Sequence, residues 1–165
     1  MLDSITQLTR QPEYLHTLLH PLPIWGVGAG VLGLVVALLL RSRAAQIATL
    51  VIILVSAISG VPVYLLGGAA EDRVEGIVDD AGREWLEEHE RRAEQVIYVF
   101  CALAVVTAVA LIAPAKWPKS GTSLSIAVLA LSIMTLALGG YVAKAGGQIR
   151  HREFRTGAPP GEHRY

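Results

Sequence analysis

Four apolar runs without a single charge dominate this chain, at about residues 23–40, 44–66, 96–114 and 123–143. Each matches the roughly 20 residues that an α-helix needs to cross the hydrocarbon core of a bilayer. A water-soluble fold can hide one such helix inside a core, but not four. Composition agrees, with 53% hydrophobic residues and a mean hydropathy of +0.49. The chain reads as an all-α, polytopic membrane protein.

Two of the three connections are very short. Arg41-Ser42-Arg43 joins the first two spans, and "AKWPKSGT" (115–122) joins the last two, with Trp117 suited to the interface and Pro118 to a turn. Connections this brief require antiparallel neighbours, so the expected architecture is an up-down-up-down four-transmembrane-helix bundle. Residues 1–155 form one domain on this reading, and residues 156–165, rich in Pro and Gly, form a flexible tail. Residues 1–21 are polar and lack the clustered basic region of a cleaved signal peptide, so the first span is read as a retained helix.

The N-terminus, the middle segment and the C-terminus then share one face, and all fourteen acidic residues lie there. The short loops carry Arg41, Arg43, Lys116 and Lys119 and no acid. The positive-inside rule makes these loops cytoplasmic and puts both termini outside. No block of Lys and Arg suggests nucleic-acid binding. The bilayer is the expected environment, with a membrane complex or a homo-oligomer as the protein partner.

The polar middle segment is residues 67–95. Gly67-Gly68 is expected to end the second helix, because glycine takes the left-handed conformation common at helix ends. Residues 69–78 have helical composition, Asp79 to Gly82 reads as a break, and residues 83–95 look helical and continuous with the third span. Trp85 is read as an interface anchor. The whole segment is expected to form a short helical cap over the mouth of the bundle. Glu84, Glu87, Glu88 and Glu94, with Arg83, Arg91 and Arg92, read as a solvated helix face with i,i+4 pairs.

Four of the five histidines fall near the same membrane boundary. His16 and His20 are one helical turn apart before the first span, His89 precedes the third, and His151 follows the fourth. His163 lies in the tail and is set aside. Glu71 and Glu75 repeat the i,i+4 spacing, and Glu90 follows His89. Imidazole nitrogen with carboxylate oxygen is a ligand set for Zn, Fe, Mn or Cu, and helical bundles build metal sites from ligands on several helices. The expected centre is a transition-metal site of His16, His20, Glu71, His89, Glu90 and His151, serving metal handling or redox chemistry. The competing reading leaves His16 and His20 simply among lipid headgroups.

Two other functions compete. Paired histidines could ligate haem b, with Gly139, Gly140, Gly146 and Gly147 making room for the macrocycle; the helix-edge position of the histidines argues against it. The chain could also be a cofactor-free accessory subunit whose small residues allow close helix packing. Enzyme chemistry finds little support. Cys101, inside the third span, reads as a small buried hydrophobe, and no nucleophile–histidine set shares one face. "GVGAG" (26–30) lies inside a span with no strand before it, so helix packing is its reading, not phosphate binding. No charged residue lies deep in a span, where ion transport would want one.

The motifs H-x-x-x-H-P-x-P (His16 to Pro23), G-G-A-A-E…V-E (Gly67 to Glu75), H-E-x-x-A (His89 to Ala93) and G-G-Q-I-R-H (Gly146 to His151) together resemble a group of bacterial four-helix membrane proteins, domain of unknown function 2231. The similarity spans nearly the whole chain through short motifs. Two departures are "HPLP", where an aromatic often follows the second histidine, and Arg152 after His151. The resemblance implies importance for His16, His20, Glu71, His89, Glu90 and His151; the bacterial inner membrane is the expected location. It implies little about chemistry.

Overall fold

A computed structural model describes residues 10–155 and residue 157. They form α1 (Pro12–Leu19), α2 (Pro21–Leu39), α3 (Arg43–Glu75), α4 (Asp80–Ile112) and α5 (Ser120–Arg150), with 3-10 turns at Ala113–Ala115 and Arg152–Phe154. Among the described residues there is no strand. His163 and nearly all of the 156–165 tail lie outside the described residues.

α1 and α2 follow one another as a 28-residue segment, Pro12–Leu39, interrupted only at His20. Pro21 has no N–H, so the carbonyl of Thr17 loses its helical donor. The Nδ1 of His20 lies 2.9 Å from that carbonyl and fills the place. This segment, α3, α4 and α5 are four helices long and apolar enough to cross a membrane. At 33 residues each, α3 and α4 are about 50 Å long, which exceeds a hydrocarbon core of about 30 Å. The excess carries the charged residues of the middle segment.

Turns and caps close the chain where expected, with one exception. Arg41 adopts a left-handed φ of 51°, and Ser42 caps α3 by accepting from the Ala45 N–H at 3.3 Å. Asp79 caps α4 by accepting from the Gly82 N–H at 2.9 Å. Gly67-Gly68, however, does not end a helix. α3 runs through both glycines to Glu75, and no glycine among the described residues has a positive φ. Glycine permits the left-handed conformation without requiring it, and here the helix continues past the glycines. The middle segment is therefore not a separate cap. It is the far ends of α3 and α4, joined by a turn at residues 76–79.

Contacts at both ends of the molecule fix how the helices meet. A Cβ on Gly82, at the start of α4, would sit 2.7 Å from the carbonyl of Ile149, at the close of α5. At the opposite end, Arg43 of α3 donates to the carbonyls of Ala110 in α4 and Gly121 in α5. Between these ends lies a core of Val27, Leu34, Leu50, Ile53, Leu103 and Val128. The "GVGAG" segment packs as its sequence suggests, since a Cβ on Gly26 would be 2.0 Å from Ser56 Oγ and one on Gly30 would be 2.3 Å from Ile53. Buried Thr107, Ser125 and Thr135 return their hydroxyls to carbonyls of their own helices. Large apolar side chains, including Trp25, Leu32, Leu39, Tyr98 and Ile112, face outward.

Three local expectations are corrected. Trp85 is buried with Leu86, Ala145 and Ile149 in a second apolar cluster, so it is not an interface anchor. Glu88 and Arg92 are also buried and do not belong to a solvated face. Cys101, read as buried, is exposed on the outer surface of α4.

Candidate functional site

The far ends of the helices line a half-open cavity of about 1120 Å³. It reaches from the charged extensions down to Gly60, Phe100 and Gly139 within the apolar spans. Five of the six expected site residues line it: His16, His20, Glu71, His89 and Glu90. His151 does not. It is exposed, donates from Nδ1 to the Glu153 carboxylate at 3.0 Å, and stacks on Phe154. A helix end at Arg150 turns the chain away, because His151 has extended backbone angles.

The three cavity histidines share one feature. His16 Nδ1 lies 2.9 Å from the carbonyl of Val63 on α3. His89 Nδ1 lies 3.0 Å from the carbonyl of Val142 on α5. His20 Nδ1 bonds the Thr17 carbonyl of its own helix. A carbonyl oxygen only accepts, so each Nδ1 must be the protonated nitrogen. In the neutral ring this leaves the lone pair on Nε2, the tautomer suited to metal ligation. Burial lowers the pKa of both His16 and His89, which lie outside the apolar spans. Neighbouring His20 adds to the effect on each, and His16 and Arg92 add further to that on His89. Neutral rings are thereby favoured. His16 and His20 also stack, with ring centres 6.1 Å apart and planes 9° from parallel.

Glu71 and Glu90 form the second element of the site. Burial first, then a hydrogen bond with Glu71 and the charges of Glu71 and Glu87, together raise the Glu90 carboxyl to about 7. A neighbouring carboxylate disfavours a second negative charge, so the Glu90 carboxyl holds its proton more tightly than an isolated one. Behind them, Glu88 accepts from Arg91 and Arg92, and Arg92 also donates to the carbonyl of Tyr141 at 2.9 Å and lies over its ring at 3.7 Å. Arg92, held by Glu88 within α4, thereby fastens α4 to Tyr141 of α5 beside His89.

The expected six-ligand metal centre is not assembled. Among the described residues no group of three or more His, Cys, Asp or Glu is arranged to hold a metal ion. What the fold does bring together is imidazoles from separate helices around a large, mainly apolar space. The sequence reading missed the carbonyls that orient these rings, and it missed Arg155. Arg155 donates to both oxygens of Asp79 and to the carbonyls of Gln148 and Ile149, closing the end of α5 onto the α3–α4 turn. A hydrophilic tail gave no signal of such a clasp.

Comparison of the chain with family models, with curated proteins and with solved structures finds no match.

Proposed function

We propose that this protein is a multi-pass bundle of four antiparallel helices in a bacterial inner membrane, that it holds a b-type haem in the cavity, and that it carries electrons. The resemblance to domain of unknown function 2231 agrees with the membrane location and with the weight given to His16 and His89. One observation carries the reading: His16 and His89, from different helices, each commit Nδ1 to a backbone carbonyl and line the same cavity.

The residues fit a haem better than a bare ion. A transition ion bound by protein alone wants about four donors in a compact set, and no group of even three is so arranged among the described residues. A macrocycle supplies four nitrogens of its own and asks the protein for axial imidazoles and an apolar space. His16 and His89 would supply the ligands, and Phe100, Ile24 and Gly139 line the apolar part of the cavity. Outer-shell carbonyl bonds to the ring N–H are the usual companions of ligating histidines. When bound, the haem supplies one-electron redox chemistry. The objection that the histidines lie at helix edges weakens, because the helices extend beyond the spans and the cavity reaches into them. A bare-metal site remains the second reading, favoured by Glu71, Glu90 and His20 on the same cavity wall.

Detergent-purified protein titrated with haem gives the test. The expected result is saturable binding with a Soret band at one haem per chain. His16→Ala and His89→Ala should each weaken binding by more than the roughly 10- to 100-fold typical of an outer-shell loss. Folded protein that takes up no haem sinks this reading. Stoichiometric Zn, Fe, Mn or Cu by elemental analysis would then favour the second.

A further inference from the structure

His16 and His89 are received in the same way. His16, on the helix before the first span, reaches the carbonyl of Val63, near the end of the second span. His89, before the third span, reaches the carbonyl of Val142, near the end of the fourth. The receiving segments have one pattern, V-x-x-x-G-G: "VYLLGG" at residues 63–68 and "VAKAGG" at residues 142–147. The separations in sequence, 47 and 53 residues, are also alike.

The first glycine of each pattern has a steric reason. In an α-helix the carbonyl of residue i already accepts the N–H of residue i+4. For Val63 that residue is Gly67, and for Val142 it is Gly146. An imidazole N–H bonding the same carbonyl uses the second lone pair, and it must approach beside the α-carbon of residue i+4. A Cβ on Gly67 would sit 3.2 Å from His16 Cε1 and Nδ1. A Cβ on Gly146 would sit 3.0 Å from His89 Cε1 and 3.1 Å from its Nδ1. Each ring is held by its hydrogen bond, so yielding to a methyl group by a few tenths of an ångström stretches or tilts that bond. The neighbouring Gly68 differs: a Cβ there meets nothing within 4 Å, and the same holds for Gly140.

We infer that Gly67 and Gly146 are equivalent positioning residues, which form with the Val63 and Val142 carbonyls two copies of one imidazole seat, one in each helical hairpin of the chain. Resting on the haem reading, His16 and His89 would be the two residues that hold the group. His20 has no such seat, since its Nδ1 bonds the Thr17 carbonyl of its own helix, which Pro21 orphans, and it stands outside the matched pair.

The test uses the full chain in detergent, labelled with 15N at histidine and free of cofactor. Gly67→Ala should displace the His16 ring signals and leave those of His89. Gly146→Ala should do the reverse, while Gly68→Ala and Gly140→Ala move neither. Thermal unfolding covers a variant that folds poorly. Gly67→Ala should lower Tm in the natural background but not in His16→Ala, and Gly146→Ala should behave likewise against His89→Ala; the crossed pairs should simply add. Equal losses with and without the partner ring overturn the seats, as do unmoved signals. With ferric haem added, the low-spin signal should survive His20→Ala and vanish in His16→Ala and His89→Ala; the opposite pattern overturns the ligand pair. Failure to bind haem with both couplings intact removes the electron-carrier reading and leaves the seats standing.

Discussion

At the scale of single residues, the decisive factor is which charges are removed from water. Glu88 is 9% exposed and Arg92 is 8% exposed, so this i,i+4 pair belongs to the interior. Arg91 and Arg92, acting against the cost of burial, hold the Glu88 carboxyl down at about 2, so it stays ionised at neutral pH. Removing one partner of a buried pair strands the other charge, which costs roughly 3 kcal/mol or more. Glu88→Ala should therefore destabilise the protein by about that amount in reversible unfolding from detergent. Arg91→Ala, at an exposed partner, should cost under about 1 kcal/mol. The double change Glu88→Leu/Arg92→Leu should cost less than Glu88→Ala alone, because it strands no charge. If Glu88→Ala and Arg91→Ala prove equally mild, the pair is solvated and α4 is not fastened to α5 through it.

At the scale of elements, the clasp at the charged end can be undone by acid. Arg155 is the largest influence on Asp79, working against partial burial and aided by the Gly82 N–H and by Arg152, and the carboxyl is lowered from 3.8 to about 2. A depressed carboxylate stabilises the folded form at any pH above its unfolded value and loses that contribution as pH falls through its folded value. The clasp should hold from neutral pH to about 4 and open between about 4 and 2. Hydrogen exchange of the amides at residues 148–155 reads this directly, and Asp79→Asn should give fast exchange at every pH. Protection that persists below pH 2 would mean that some other contact closes α5. The spans and the break at Asp79 were legible in the sequence, because an uncharged run of about 20 residues is a local signal, although the helix restarts at Asp80 and not at residue 83. The Gly67-Gly68 helix end was misread because glycine has two uses, and the sequence shows the residue without the ring lying against it. The site was half legible. Histidine spacing named the cavity lining, but His151 follows the end of α5 and leaves the group. The burial of Trp85, Glu88 and Arg92 depends on α5, which is distant in sequence.

At the scale of the whole molecule, charge is divided between the two ends. The short loops hold four cations and no acid, while the cavity end and the flanking termini hold fourteen acids against ten cations. Arg43 strengthens the asymmetry structurally, since its guanidinium joins α3, α4 and α5 at the cationic end. Cations near the ends of spans are retained in the cytoplasm, so the cavity should open on the opposite side and exchange electrons with partners there. Cysteine labelling decides the matter, after Cys101→Ser removes the one native thiol. Asp80→Cys, at the start of α4 on the cavity end, should react with a membrane-impermeant maleimide on spheroplasts. Lys119→Cys, in the loop before α5, should react only after the membrane is permeabilised. The reverse pattern would turn the cavity toward the cytoplasm and its soluble reductants. The seats for His16 and His89 would be unchanged, and only the side from which electrons reach them would be exchanged.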